Sequence, residues 1–196
     1  MAFEIVTAED VMAVGRGGEL RVKPGAHVTD WAREIAASRE VRILESDGPA
    51  RLSLALGSDH GGFALKELLK AGLLETFAIR DVGAYSADPV DYPDFAASIG
   101  RLVATSQCDF GIMIDAMGIG SAMAANKIRG VRAAVCNDEA TTSNARAHND
   151  ANVMTLGAKL VDAAKALTLV QLFITTKCVE DRHQRRVAKI IALERG

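Results

Sequence analysis

The stretch Gly111–Lys127, "GIMIDAMGIGSAMAANK", decides how this chain is read. An apolar run stops at Asp115, a glycine pair follows, and an alanine-rich segment closes on Asn126-Lys127. That order predicts a buried strand, a tight turn and a helix, with a carboxylate where the strand opens into the turn.

The same alternation repeats on both sides of it. "RLSLALGSDHGG" is a short apolar strand ending in a polar turn, and "FALKELLKAGLL" an amphipathic helix. "FAIRDVGA" is a second strand, and "DYPDFAASIGRLVAT" a helix with Pro93 in its first turn. "CDFGIMID", "VRAAVCN" and "NVMTLGAKLV" supply three more strands, followed by helices "SAMAANKI", "EATTSNARAHN" and the segment from Ala163 onward. Strands and helices in strict alternation predict a three-layer, doubly wound, Rossmann-like α/β fold around a mostly parallel five-stranded sheet.

Composition changes near residue 50. Residues 1–48 are expected to form a small α/β N-terminal extension, and residues 49–196 the main domain. Within the extension Thr7 is expected to cap a helix at "TAEDV". "ELRVKPGAHVTDWAREIAASREVRIL" then reads as strand, Pro-Gly turn, helix and strand, with Thr29 or Asp30 as the next cap. "ESDGPA" (45–50) reads as a linker.

The 196 residues are 49% hydrophobic and 24% charged with net charge −2, which describes a globular chain without a basic footprint for nucleic acid. Only 5% are aromatic, so base-stacking platforms are not suggested. Cys108, Cys136 and Cys178 are odd in number and far apart. They show neither metal-ligand pairing nor a disulfide framework, and a cytoplasmic setting is expected. No apolar run reaches the roughly 18–20 residues of a membrane helix.

In parallel sheets of this kind ligands bind at the carboxyl ends of the strands. Here those ends carry Ser58-Asp59-His60-Gly61-Gly62, "GAYSADPVDYPD", Asp115 with "MGIGS", Asn137-Asp138-Glu139 and Gly157-Ala158-Lys159. Polar groups at every exit point to a small-molecule site. Taken singly, each motif has two readings. "GSDHGG" is a capped turn, or a carboxylate and an imidazole that hold sugar hydroxyls. Gly118-x-Gly120 is no dinucleotide fingerprint, because Met123 stands where the third glycine belongs. It still offers backbone N–H groups to an oxyanion or phosphate. His148 and Asn149 in "ARAHNDAN" end a helix or contact a ligand. Arg182 and Arg186, four apart, form a solvated face or a clamp for a phosphate.

Read together and in order, "LALGSDHGGFALKELL", "DVGAYSADPVDYPDFA", "GIGSAMAANKIRGVRAAVC", "ARAHNDANVMTLGAKLV" and "DRHQRRVAKI" resemble the family of type B ribose-5-phosphate isomerases and galactose-6-phosphate isomerases. The resemblance runs from about Leu52 to Ile191. It implies a cofactor-free, metal-free aldose–ketose isomerisation of a sugar phosphate through an enediolate, at sites between two subunits of a homodimer or homotetramer. Membrane and nucleic-acid partners are not expected.

By position, the resemblance implies that Asp59 and His60 bind the sugar and that His148 opens the furanose ring. Asn149 would contact the substrate, and Arg182 and Arg186 would hold the phosphate. Lys159 stands where an arginine is usual. Gly118 and Gly120 would belong to a loop whose amides hold the enediolate oxygen, and Tyr92, Met117, Ile119, Ser121 and Lys159 are also expected to bind the substrate. The ribose-phosphate branch typically has Cys-Gly-Thr-Gly-x-Gly in that loop, its cysteine being the base. This chain has Asp115-Ala116-Met117-Gly118-Ile119-Gly120. Another branch has a glutamate just after the glycines, where Ser121 stands. "IDAxGxGS" with "KIRG" downstream is similar to the A subunit of galactose-6-phosphate isomerase, which works with a homologous B subunit.

Two readings follow. Asp115 is itself the base of an active isomerase, its carboxylate tuned by desolvation. Alternatively the chain is a non-catalytic or half-site subunit that needs a homologous partner chain. The N-terminal extension lies outside the resemblance. It is similar to short extensions on some enzymes of bacterial microcompartments and carbohydrate-utilisation clusters, and reads either as a stabilising flap or as a docking or oligomerisation element.

Overall fold

The computed structural model describes residues 5–45 and 51–195. They fall into two compact units divided between Leu52 and Ser53, with residues 105–107 grouped with the first. Most of the expected linker, residues 46–50, lies outside the described residues.

The first unit runs β1 (Ile5–Val6), α1 (Ala8–Ala13), β2 (Glu19–Val22), β3 (His27–Val28), α2 (Asp30–Ser38) and β4 (Arg42–Glu45). Thr7 caps α1 in a reciprocal box with Asp10, and Thr29, not Asp30, caps α2. β1 pairs with β3 and β2 with β4, both in parallel. The short β1 and β3 were not anticipated, since a two-residue strand leaves no periodicity to read. Val6, Val11, Val22, Val28, Ala32 and Val41 form a small core of this unit's own.

The second unit carries β5 (Ser53–Ser58), α3 (Phe63–Leu73), β6 (Ala78–Asp81), α4 (Tyr92–Ala104) and β7 (Phe110–Asp115). It continues with α5 (Ile119–Ala125), β8 (Ala133–Val135), α6 (Glu139–Asn149), β9 (Val153–Gly157), α7 (Ala163–Thr175) and α8 (Asp181–Ala192). The five strands lie in the order β6-β5-β7-β9-β8, every pair parallel. Strand order reverses between β5 and β7, the point where such sheets open a crevice.

Period-two alternation puts Leu54, Leu56, Ile112, Ile114, Met154 and Leu156 on one face, under α3 and α7. Ala55, Met113 and Val153 face the other way, under α4 and α5 through Ala96, Ile99, Val103 and Ala125. Both faces are therefore covered, and the strand sequences read as continuous apolar runs. Each helix that follows a strand returns the chain from the carboxyl edge of the sheet to its amino edge. That simple consequence of parallel pairing governs the site.

Candidate active site

At the carboxyl edge the exits of β5 and β7 meet. The amide of Asp59 donates to the Ile114 carbonyl at 3.1 Å, and Asp59 Oδ1 accepts from the Gly62 amide at 2.9 Å. Gly62 must be glycine, because a Cβ there would collide with the Ile114 carbonyl oxygen. His60 is exposed, and its Nδ1 lies 3.3 Å from both the nitrogen and the oxygen of Val90.

The turn after β7 closes around its own carboxylate. Asp115 is 5% exposed. Its Oδ1 accepts from the amides of Met117 and Gly118, and its Oδ2 from the amide and the hydroxyl of Ser121. Gly118, at φ +82°, supplies the left-handed step that turns these amides inward. The amide of Gly118, expected to hold a substrate oxygen, donates to Asp115 in this structure. Gly157 lets β9 run against the turn, since a Cβ there would touch the Met117 backbone at 2.9 Å. Asn137 ties the two together: its Oδ1 accepts from the Gly157 amide at 2.8 Å and its Nδ2 donates to the Met117 carbonyl. The Lys159 amide donates to the Ala116 carbonyl at 3.2 Å. Tyr92, at the start of α4, lays its ring over Gly120, where an added Cβ would meet it at 2.6 Å. Asp59, His60, Tyr92, Asp115, Met117, Gly118, Ile119, Gly120, Ser121 and Lys159 thus all lie at this edge.

His148 and Asn149 do not. They end α6, which spans 11 residues, roughly 16 Å at about 1.5 Å per residue, and returns the chain to the amino edge. Arg132, immediately before β8, donates through Nε to the Asn149 carbonyl at 3.3 Å and to the Asp150 carbonyl at 2.9 Å, which pins this helix end there. α8 starts at the same edge, after α7 has returned from β9. Its Arg182 and Arg186 are exposed, while His183 and Val187 are buried. Arg182 Nε donates to Glu180 at 2.6 Å; Arg186 makes no hydrogen bond or ion pair among the described residues. The His148 ring stacks on His183, and Asn144 Nδ2 donates to His148 Nδ1 at 2.9 Å. A neutral His148 therefore carries its proton on Nε2.

The expected site residues thus separate into two groups at opposite edges of one sheet. Among the described residues no hydrogen bond or ion pair joins them. His183 and Asn144 were not singled out from sequence, and Asn137 was noted only as one of the polar residues at a strand exit. His183 stood in "DRHQRRVAKI" between the arginines that drew attention, and its spacing of four from buried Val187 was the available signal.

Cys108 and Cys136 are buried, and burial pushes their thiols up to about 11 and about 12, so neither offers a thiolate near neutrality. Among the described residues no group of His, Cys, Asp and Glu side chains suits a metal ion, and no helix is long and apolar enough to cross a membrane.

Residues 54–190 match the family model described as Ribose/Galactose Isomerase. The chain is 37% identical over 142 residues to ribose-5-phosphate isomerase B of Escherichia coli, a match covering 72% of this chain and 95% of that protein. Its fold matches a ribose-5-phosphate isomerase B of Clostridium thermocellum with a TM-score of 0.72 at 37% identity, over 74% of this chain and 98% of the other. It matches ribose-5-phosphate isomerase B of Mycoplasma genitalium with bound ribulose-5-phosphate at 0.70 and 37%, over 75% and 99%.

Proposed function

The chain belongs to the ribose/galactose isomerase family of sugar-phosphate isomerases, and from that we propose that it interconverts the aldose and ketose forms of a pentose phosphate. A hexose phosphate is the other member of the substrate class. The observation that carries the mechanism is the separation of the two groups of site residues. A proton-transfer and sugar-binding group at the carboxyl edge and a cationic group at the amino edge serve one substrate only when two chains face each other. The site is therefore read as shared in a dimer or larger oligomer, with Arg182, Arg186, His148 and Asn149 coming from the second chain.

In this reading the arginines anchor the phosphate, Arg182 exchanging Glu180 for it, and hold it away from the reacting carbons. His148 donates from Nε2 to the ring oxygen as the furanose opens. Asp59, His60 and Tyr92 contact the open chain, with Lys159 beside them. Asp115 takes the proton next to the carbonyl, without cofactor or metal. Three of its four donors are fixed amides and one is the Ser121 hydroxyl. That hydroxyl can rotate, so Oδ2 becomes available without moving the backbone. The oxygen charge that develops on the enediolate then falls beside Gly120 and the released Ser121 hydroxyl.

The full set of donors on Asp115 also supports a second reading, a half-site subunit in which Asp115 serves the turn and a homologous chain supplies the base. Solvent deuterium exchange at C2 of C5 and C6 aldose phosphates separates the two. Exchange by the chain alone that disappears in Asp115→Asn supports the first. No exchange until a homologous chain is mixed in supports the second, and no exchange under either condition rejects both.

The first unit lies outside the family match, and we assign it docking or oligomerisation. Removing residues 1–48 is expected to change oligomer size or partner binding and to leave turnover intact.

A further inference from the structure

Two carboxylates stand side by side at the reversal point of the sheet, and they are not equivalent. β5 and β7 pair with Ser58 opposite Ile114, so Asp59 and Asp115 are the next residues out. Neighbouring strands lie about 5 Å apart, and the bond from the Asp59 amide to Ile114 shows that pairing persists to the exit. A methyl group on Gly61 would lie 3.3 Å from Asp59 Oδ1 and 4.0 Å from the Ala116 nitrogen, so one small group spans the gap between the exits.

A carboxylate offers about four lone-pair sites. On Asp115 all are taken, two by donors on each oxygen. Asp59 is only 7% exposed, yet among the described residues it accepts a single hydrogen bond, from Gly62 to Oδ1. Among the described residues its Oδ2 accepts no hydrogen bond. That oxygen is not among the buried side-chain atoms left without a partner, so it stays open to a ligand at the mouth of the crevice.

The isomerisation assigned above calls for two separate proton movements. One proton passes from C2 to C1, the other from O2 to O1. A single carboxylate tied down by backbone amides cannot serve both the carbon and the oxygen positions. Resting on the isomerase reading, we propose that Asp59 is a second catalytic group, carrying the proton between the two oxygens while Asp115 handles the carbon-bound one.

The steps balance. Asp115 takes the C2 proton; the C2–H pair forms the C1=C2 bond, and the carbonyl pair moves onto O1. Asp59 Oδ2 removes the proton from O2 and delivers it to O1. The O2 pair then forms the ketone at C2, and the C1=C2 pair takes the proton back from Asp115 at C1. Both carboxylates end ionised, and no other reactant is consumed.

The test is Asp59→Asn, which keeps the acceptor for Gly62. Conversion of ribose 5-phosphate and other aldose phosphates is followed together with loss of a C2 deuterium label from unreacted sugar. Conversion should fall on the order of 100-fold, the usual scale of one acid–base group. Label loss per product formed should rise at least about tenfold, because the carbon proton still leaves and returns, and KM should stay within about threefold. If the variant does not fold, Asp59→Ala with added acetate replaces it, and acetate should restore conversion without altering KM. Conversion and label loss that fall together with a raised KM, or conversion that does not change, would overturn the role of Asp59 alone. A wild-type chain that neither converts nor exchanges any aldose phosphate would overturn the isomerase reading, and this proposal with it.

Discussion

The imidazole of His148 lies flat on that of His183, ring centroids 4.0 Å apart and planes inclined by 14°. His183 is buried, and among the described residues neither ring nitrogen has a hydrogen-bond partner; Glu180 comes to 3.5 Å. Burial holds the His183 ring below the ordinary imidazole range, and the neighbouring His148 presses the same way. The folded state therefore binds fewer protons than the unfolded state once pH falls below about 6.5, the unfolded value. Stability present above that pH should be lost progressively on acidification. Urea midpoints between pH 7.5 and 5 would measure the slope, and His183→Phe should flatten it.

Asp115 is predicted to matter to the turn whether or not it moves a proton. In Asp115→Asn an amide NH2 replaces one acceptor oxygen and confronts an N–H or O–H donor. Leaving such donors unmet costs about 1–3 kcal/mol each when buried. Thermal unfolding should show a loss of about 2 kcal/mol or more, whereas Ser121→Ala, which removes a donor and keeps the acceptors, should cost about 1 kcal/mol. Equal losses in the two variants would contradict the hydrogen-bond pattern described.

Gly62 and Gly120 should respond in opposite ways to alanine. At Gly62 the new methyl meets the Ile114 carbonyl oxygen, which is main chain and cannot move aside. Gly62→Ala should destabilise by roughly 1–3 kcal/mol or more through overpacking. At Gly120 the methyl meets the end of the Tyr92 ring, which can swing away. Gly120→Ala should leave the melting temperature nearly unchanged and raise KM by displacing Tyr92. The contrast is read from paired melting curves and kinetics.

Lys66 is fully buried on α3, its ammonium 2.9 and 3.0 Å from the two oxygens of Asp81 and 2.8 Å from the Ala84 carbonyl. Lys66→Met removes one partner of a buried pair and strands the other, a loss of about 3–5 kcal/mol. Lys70, 2.6 Å from Asp81 Oδ2, remains to compensate, which places the expected loss near the lower figure. Denaturant titration measures it, and a neutral outcome would show that Lys70 alone satisfies Asp81.

The five strands were legible because two covered faces make each strand a continuous apolar run bounded by polar turns. Their lateral order was not, since nothing in "CDFGIMID" states that it lies between "SLALGS" and "VMTLG". Asp115 was legible as a strand-exit carboxylate, but its four donors depend on a turn that only Gly118 in the left-handed region permits. Lys66 reads in "FALKELL" as one more solvated lysine. Its burial follows from Asp81, a partner fifteen positions away on a neighbouring strand. His183 was hidden for the same reason, its ring partner being 35 positions upstream on another helix.

The return of α6 and α7 to the amino edge, where α8 then begins, has a genetic consequence. If each chain lends its upper edge to one site and its lower edge to another, lesions at the two edges are separable by subunit. A chain carrying Asp115→Asn and a chain carrying Arg182→Ala, each inactive alone, would gather both defects into one site of a mixed dimer and leave the other intact. Random reassociation of equal amounts should recover about a quarter of wild-type turnover, as two-fold symmetry dictates. Two broken copies would then complement one another, while two copies broken at the same edge would not.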